Sequence, residues 1–188
     1  PDHFLALFAH PYHAAPDARP VVVATDKAGN TREMRIAYEL KNVRYKKSTL
    51  VLSDNFLQNK VAPLLADAAA RQGAAKDVFV AVNKRLRKEN EDRITAITTK
   101  ATPSMLWKDA FAQLSNSKVE ANFADQRTYT YNGETIDTAY HLGYDLSVTK
   151  NYPVEAANSG TVAFSGDLGI YGNAVIIDHG LGLFSLYG

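Results

Sequence analysis

Residues 139–148 read AYHLGYDLSV, which places an imidazole and a carboxylate four positions apart, at His141 and Asp145, with Gly143 midway. Neutral imidazole and ionised carboxylate are donors that suit zinc, at ~2 Å in a roughly tetrahedral shell that keeps one position for water when the site is catalytic. Spacing alone leaves a second reading open, an ordinary surface hydrogen bond between the two side chains. In a straight strand, positions four apart face one side but lie about 13 Å from each other at ~3.3 Å per residue, so a shared ion needs the backbone to bend between them. Gly143 is expected to make that bend, because glycine accepts backbone angles closed to other residues. A helix would also bring the pair together, but glycine and the neighbouring Tyr144, Val148 and Thr149 argue against one.

Other candidates are few. The chain has no cysteine, which removes disulfides, thiolate catalysis and Cys-rich zinc sites. Any metal must therefore rest on histidines and carboxylates, and the histidines are His3, His10, His13, His141 and His179. His10-Pro11-Tyr12-His13 offers two imidazoles, but no carboxylate stands at a ligand spacing and proline stiffens the segment, so a solvated loop is expected. The run KRLRKENED, residues 84–92, resembles a binding patch. Yet Arg85 and Glu89, Arg87 and Glu91, and Lys88 and Asp92 are opposite charges four apart, the pattern of a solvated helix face. A net charge of +1, with no long basic tract, argues against a nucleic-acid partner. No apolar run approaches the ~20 residues that cross a bilayer, so no transmembrane segment is expected in this chain. The opening PDHFLALFAHPYH shows neither an initiator Met nor a signal-like pattern and reads as a processed or excerpted segment.

The elements that must position His141 and Asp145 follow from two changes of pattern. Through residue 52 the chain reads as strands and turns: PVVVATD, a KAGN connection, TREMRIAYEL and VRYKKSTLVL. Four of the seven prolines fall in the first 20 residues, which limits regular pairing there. After the helix-start signal Ser53-Asp54, a helical pattern runs to about Arg71, with Leu57, Val61, Leu64 and Leu65 on one side, Pro63 as a kink and Gly73 as a stop. A second helix from about Asp77 to Thr98 carries the stripe Phe79, Val82, Leu86, Ile94 and Ile97. The two are expected to pack as a hairpin, a unit apart from the strands. From Arg127 the pattern is β again, and Asn132-Gly133 is a two-residue hairpin signal. Nine of the eleven glycines lie from residue 133 onward, the mark of a turn-rich sheet that begins near Ala121. The expected fold class is mainly β with a helical insert: a partial, immunoglobulin-like β unit over 1–52, a helical segment over 53–120 and an antiparallel β-sheet domain over 121–188.

From His141 the chain continues HLGYDLSVTKNYPVEAANSGTVAFSGDLGIYGNAVIIDHGLGLFSLYG. In order and gaps it resembles the LytM/lysostaphin-type zinc metallopeptidases. Their catalytic domain reads His-x-Gly-x-Asp, then Pro-Val-x-Ala and Gly-x-Val, a Tyr-Gly-Asn turn, an apolar strand ending Asp-His-Gly, and Tyr-x-His-Leu-Ser. The likeness covers about residues 139–188, and a β unit followed by helices ahead of the peptidase domain also looks like an arrangement known in that family. The resemblance implies a peptidoglycan endopeptidase of duplicated hybrid motif fold, with zinc as cofactor, His141 and Asp145 as zinc ligands and Gly143 shaping the loop between them. It implies stem or bridge peptides of peptidoglycan as substrate, and a periplasmic or extracellular place in the bacterial envelope.

In such enzymes the third ligand is the second histidine of a His-x-His pair. The first histidine of that pair and the one of Tyr-x-His act on the water and the developing oxyanion. The resemblance places all three after Gly188. With two ligands where a catalytic site needs about three, the chain by itself is expected to be a poor enzyme, and the C-terminal remainder of the same domain is an expected partner. His179, in IIDHG, follows the family pattern and is read as structural or groove-lining. The alternative is a non-catalytic LytM-like module that binds cell wall or a partner and regulates another hydrolase. A lipoyl or biotinyl carrier, suggested by PVEAANSGTVAFS, is disfavoured because Asn158-Ser159-Gly160 offers no lysine at the hairpin tip.

Overall fold

The valine-rich stretch PVVVATD is a strand in the computed structural model, which describes residues 5, 7–12, 14–15, 17–38 and 44–188. This strand, β1 (Val21–Thr25), pairs antiparallel with β2 (Thr31–Arg35), from Val21 opposite Arg35 to Thr25 opposite Thr31. Asp26 builds the turn between them. Its Oδ1 accepts from the backbone N–H groups of Ala28 and Asn30 at 2.8 and 2.9 Å, and Gly29 takes φ 87°, a conformation that side-chain-bearing residues rarely adopt. The hairpin belongs to one compact unit, Phe8–Tyr45. There His10 sets its ring edge-on to Tyr38, with centroids 5.5 Å apart. His3 and His13 lie outside the described residues.

The other compact unit joins Pro1–Leu7 with Lys46–Gly188. Its first strand is β3 (Lys47–Val51), which the sequence pattern groups with the earlier strands. Three sheets follow from β3 and seven further strands: β4 (Lys118–Ala121), β5 (Gln126–Tyr131), β6 (Glu134–Tyr140), β7 (Asp145–Ser147), β8 (Thr161–Asp167), β9 (Asn173–Gly180) and β10 (Leu183–Tyr187). One sheet runs β3-β5-β6, a second β10-β9-β8, and β4 and β7 form a two-stranded third. All pairings are antiparallel except that of β3 with β5, which is parallel from Lys47 opposite Gln126 to Val51 opposite Thr130. Asn132 and Gly133 turn β5 into β6 with φ values of 50° and 82°, the double positive φ that favours Asn-Gly in a type I′ hairpin.

The helical segment departs from two long helices in instructive ways. Ser53 caps α1 (Asp54–Phe56), its Oγ accepting from the Phe56 N–H at 3.2 Å. The chain continues through a wider, π-type turn (Leu57–Val61) and a 3₁₀ turn (Ala62–Leu64). Pro63 has no N–H to continue the ladder, and Leu65 is extended at φ −78° and ψ 130°. The helix expected to reach Arg71 therefore stops at Leu64, and a separate turn, α2 (Ala68–Arg71), starts from an Asp67 cap. The second helical run holds as expected at its C-terminal end: α3 (Ala75–Val80), a π-type stretch (Ala81–Leu86) and α4 (Arg87–Thr98). No helix of the described residues is long and apolar enough to cross a membrane.

These short pieces would be marginal alone, since isolated helices need about 12–15 residues to persist in water. Packing holds them, and it overturns the expectation of a separate helical unit. Leu57, Val61, Leu65, Val78, Phe79 and Val82 bury with Leu52 in one cluster, against which Tyr129, Tyr131 and Ile136 of the β3-β5-β6 sheet pack. Each large apolar side chain so buried contributes about 1.5–3 kcal/mol. Ile94 and Ile97, further along the same stripe, pack instead on Leu168, Ala174 and Ile176. One helical stripe thus serves two cores, and both sheets are built onto it.

Candidate metal centre

His141 follows directly on β6, and its backbone extends the ladder begun by β5. Its N–H donates to the Asp125 carbonyl at 2.9 Å and its own carbonyl accepts from the Ala124 N–H at 2.6 Å. Four residues on, Asp145 opens β7 and stands opposite Ala121 of β4. The two side chains therefore hang from backbone that is hydrogen-bonded on either side of a bend at Gly143. That bend needs no glycine angle, contrary to the sequence expectation. Gly143 is not among the residues with positive φ, and a Cβ built on it would meet nothing within 4 Å.

The donor atoms converge. His141 Nε2 lies 3.3 Å from Asp145 Oδ1, yet the two are not aligned for a hydrogen bond, and Nε2 is buried with no hydrogen-bond partner. An orphaned buried polar atom costs about 1–3 kcal/mol unless something satisfies it. Two ligands of one tetrahedral zinc, each at 2.0–2.1 Å, would have donor atoms about 3.4 Å apart. The separation and the unsatisfied nitrogen both fit a shared cation. Burial, first, and the nearby Arg127 guanidinium hold the His141 pKa below its ordinary 6.5, against the pull of Asp145 and Asp125. The ring is thereby kept neutral, the form that ligates metal.

Arg127, on β5, was not singled out by its sequence context. Its Nη2 donates to Asp145 Oδ2 at 3.1 Å, so one carboxylate oxygen is held by a guanidinium and the other faces the imidazole. Among the described residues no group of three or more His, Cys, Asp or Glu side chains could hold a metal ion. His179 is fully buried and has both ring nitrogens occupied. Nδ1 donates to the Ser159 carbonyl at 2.7 Å and Nε2 is hydrogen-bonded with Ser185 Oγ at 2.8 Å, while Phe111 packs edge-on against the ring at 4.8 Å between centroids. No lone pair is left for a metal there.

A further set of polar side chains ties β6 to the helices. Asp137 is buried; its Oδ2 accepts from Asn83 Nδ2 at 2.6 Å and its Oδ1 lies 3.2 Å from Lys84 Nζ. Asn83 Oδ1 in turn accepts from Arg87 Nη2 at 3.2 Å. Sequence reading treats the charges of 84–92 as a solvated face, and this holds for Lys88 and Asp92, paired at 2.8 Å. It misses that Asn83 turns inward with Arg87 beside it, and that Lys84 reaches Asp137 from the solvent side, because the π-type stretch Ala81–Leu86 shifts the register of the faces.

Residues 139–188, the stretch that runs from the end of β6 to the end of β10, match the sequence model of peptidase family M23. A comparison with curated proteins finds no match. The matched stretch opens on the segment that brings His141 and Asp145 together, and over these C-terminal residues the chain is similar to peptidase family M23.

Proposed function

We propose that the protein is a zinc-dependent endopeptidase acting on the peptide cross-links of bacterial peptidoglycan, with His141 and Asp145 as two of its zinc ligands. The observation that carries this reading is the approach of His141 Nε2 to Asp145 Oδ1 at 3.3 Å with the nitrogen buried and unpartnered, at the start of a segment matching a peptidase family. A bound zinc would polarise a peptide carbonyl and lower the pKa of its water toward ~7. The chain's own part is to present the two donors ready to bind. Desolvation of the ring and the nearby Arg127 favour the neutral form of His141, and Asp145 supplies a carboxylate oxygen from a strand end. The remaining ligand and the proton-transferring histidines are proposed to follow Gly188, and the envelope is the proposed location because the substrate lies there.

Zinc titration of the 188-residue chain and of a polypeptide extended past Gly188 tests this. The extended polypeptide is expected to bind zinc far more tightly and to release cleaved peptides from purified peptidoglycan, detected by mass spectrometry. In both, His141→Ala and Asp145→Asn are expected to remove zinc binding. Equal zinc binding by those variants would refute the assignment of ligands. Tight zinc binding without hydrolysis by the extended form would favour the alternative, a non-catalytic module that binds cell wall or a partner.

A further inference from the structure

Asp145 is 54% exposed at its side chain, so burial alone does not fix which oxygen points at His141; Arg127 is only 25% exposed and is the more firmly held partner. How Arg127 comes to be there is a matter of strand register. The Asn132-Gly133 turn pairs Tyr131 with Glu134 and Thr130 with Thr135. Continued without interruption, that register would place Arg127 opposite Thr138. The extra residue Ile136 shifts it, so that Tyr129 stands opposite Asp137 and Arg127 opposite Ala139. Opposed residues of an antiparallel pair share a face, and faces alternate with period 2. The bulge therefore moves Arg127 from the face of positions 138 and 140 to that of 139 and 141, where His141 continues the ladder. Re-aiming a side chain beside a site is what such bulges do.

We propose that Arg127 is a positioning residue for the metal pair: its guanidinium holds Asp145 Oδ2 and turns Oδ1 onto the approach shared with His141 Nε2. The proposal rests on the reading of His141 and Asp145 as ligands. Two effects oppose each other here. A guanidinium near the site repels a dication, which weakens binding. A charge-assisted hydrogen bond to the far oxygen removes the rotational freedom of an exposed carboxylate, which strengthens it. Partners that orient a ligand in this way typically raise metal affinity 10–100-fold, more than a screened repulsion at a half-exposed carboxylate removes. Orientation wins, and Asp145 binds through one oxygen only.

Calorimetric zinc titration of the 188-residue chain and its variants decides the matter, with the melting of the metal-free proteins as a check on folding. Arg127→Ala is expected to weaken zinc binding about tenfold, and Arg127→Lys, which keeps a donor within reach of Oδ2, is expected to recover most of that loss. The metal-free melting temperature of the Lys variant should stay within a few degrees of the parent. Zinc binding by Arg127→Ala as tight as, or tighter than, that of the parent would overturn the proposal, because charge repulsion would then be its main effect. Failure of Arg127→Lys to bind better than Arg127→Ala would overturn it too. If instead His141→Ala and Asp145→Asn bind zinc like the parent, the ligand assignment itself falls, and Arg127 has nothing to position.

Discussion

Two glycines show how differently one residue type can matter within this segment. Gly143 lies between the candidate ligands, yet it has neither a positive φ nor a neighbour within 4 Å of a built Cβ. Gly160 lies outside the pair, and a Cβ there would come within 2.6 Å of the Asp178 carbonyl oxygen and 2.9 Å of His179 Nδ1. Gly143→Ala should leave stability within about 1 kcal/mol of the parent. Gly160→Ala should cost about 1–3 kcal/mol through overpacking against backbone and a buried ring. Urea denaturation of the two variants compares them directly, and a larger loss at Gly143 would show that the bend is strained after all. His141 and Asp145 could be picked out as a candidate pair from the sequence because so few residue types bind metal in a cysteine-free chain, and the structure brings their side chains to 3.3 Å. The contact of Arg127 with Asp145 was not legible there, since it depends on a one-residue bulge that no local composition announces.

Among the elements, the π-type stretch Ala81–Leu86 has the clearest energetic consequence. It turns Asn83 inward to the buried Asp137 of β6, four positions before His141, and Lys84 completes the contact from the solvent side. Replacing Asp137 with Ala leaves the Asn83 amide buried without its acceptor, so a loss of about 2–3 kcal/mol is expected. Because β6 leads straight into His141, the same variant should also broaden or split the His141 side-chain signals in NMR spectra. Parent-like stability and spectra would mean that the helices merely rest on the sheet. Sequence reading found the elements themselves from local chemistry: the Ser53 cap, the Asn132-Gly133 turn and the apolar stripe of the second helix. It overran at Leu64, where the missing N–H of Pro63 outweighed a continuing helical pattern. It also missed that Leu64 stays exposed while Leu65 takes the core position.

For the larger unit as a whole, Leu52 joins pieces far apart in sequence. Its N–H donates to the Thr130 carbonyl at 2.8 Å, and its side chain is buried with those of Leu57 and Phe79. Leu52→Ala should cost about 2–4 kcal/mol, whereas Val51→Ala, one residue before it and 80% exposed, should stay within about 0.5 kcal/mol. Chemical denaturation that ranks the two the other way would contradict the placement of β3. That placement escaped sequence reading because a parallel neighbour arrives only after a long crossover, here the entire helical segment, and alternation within β3 says nothing about who the neighbour is.

The parallel pairing of β3 with β5 also sets a waiting time during synthesis. At about 5–20 residues per second, β3 leaves the ribosome roughly 4–15 seconds before the strand that will cover it. Throughout that interval Leu50 and Leu52 belong to an open strand that could pair with another nascent chain, a hazard blunted by charged residues along an uncovered edge. Lys46 and Lys47, at its leading end, are well placed to keep such chains apart until β5 emerges.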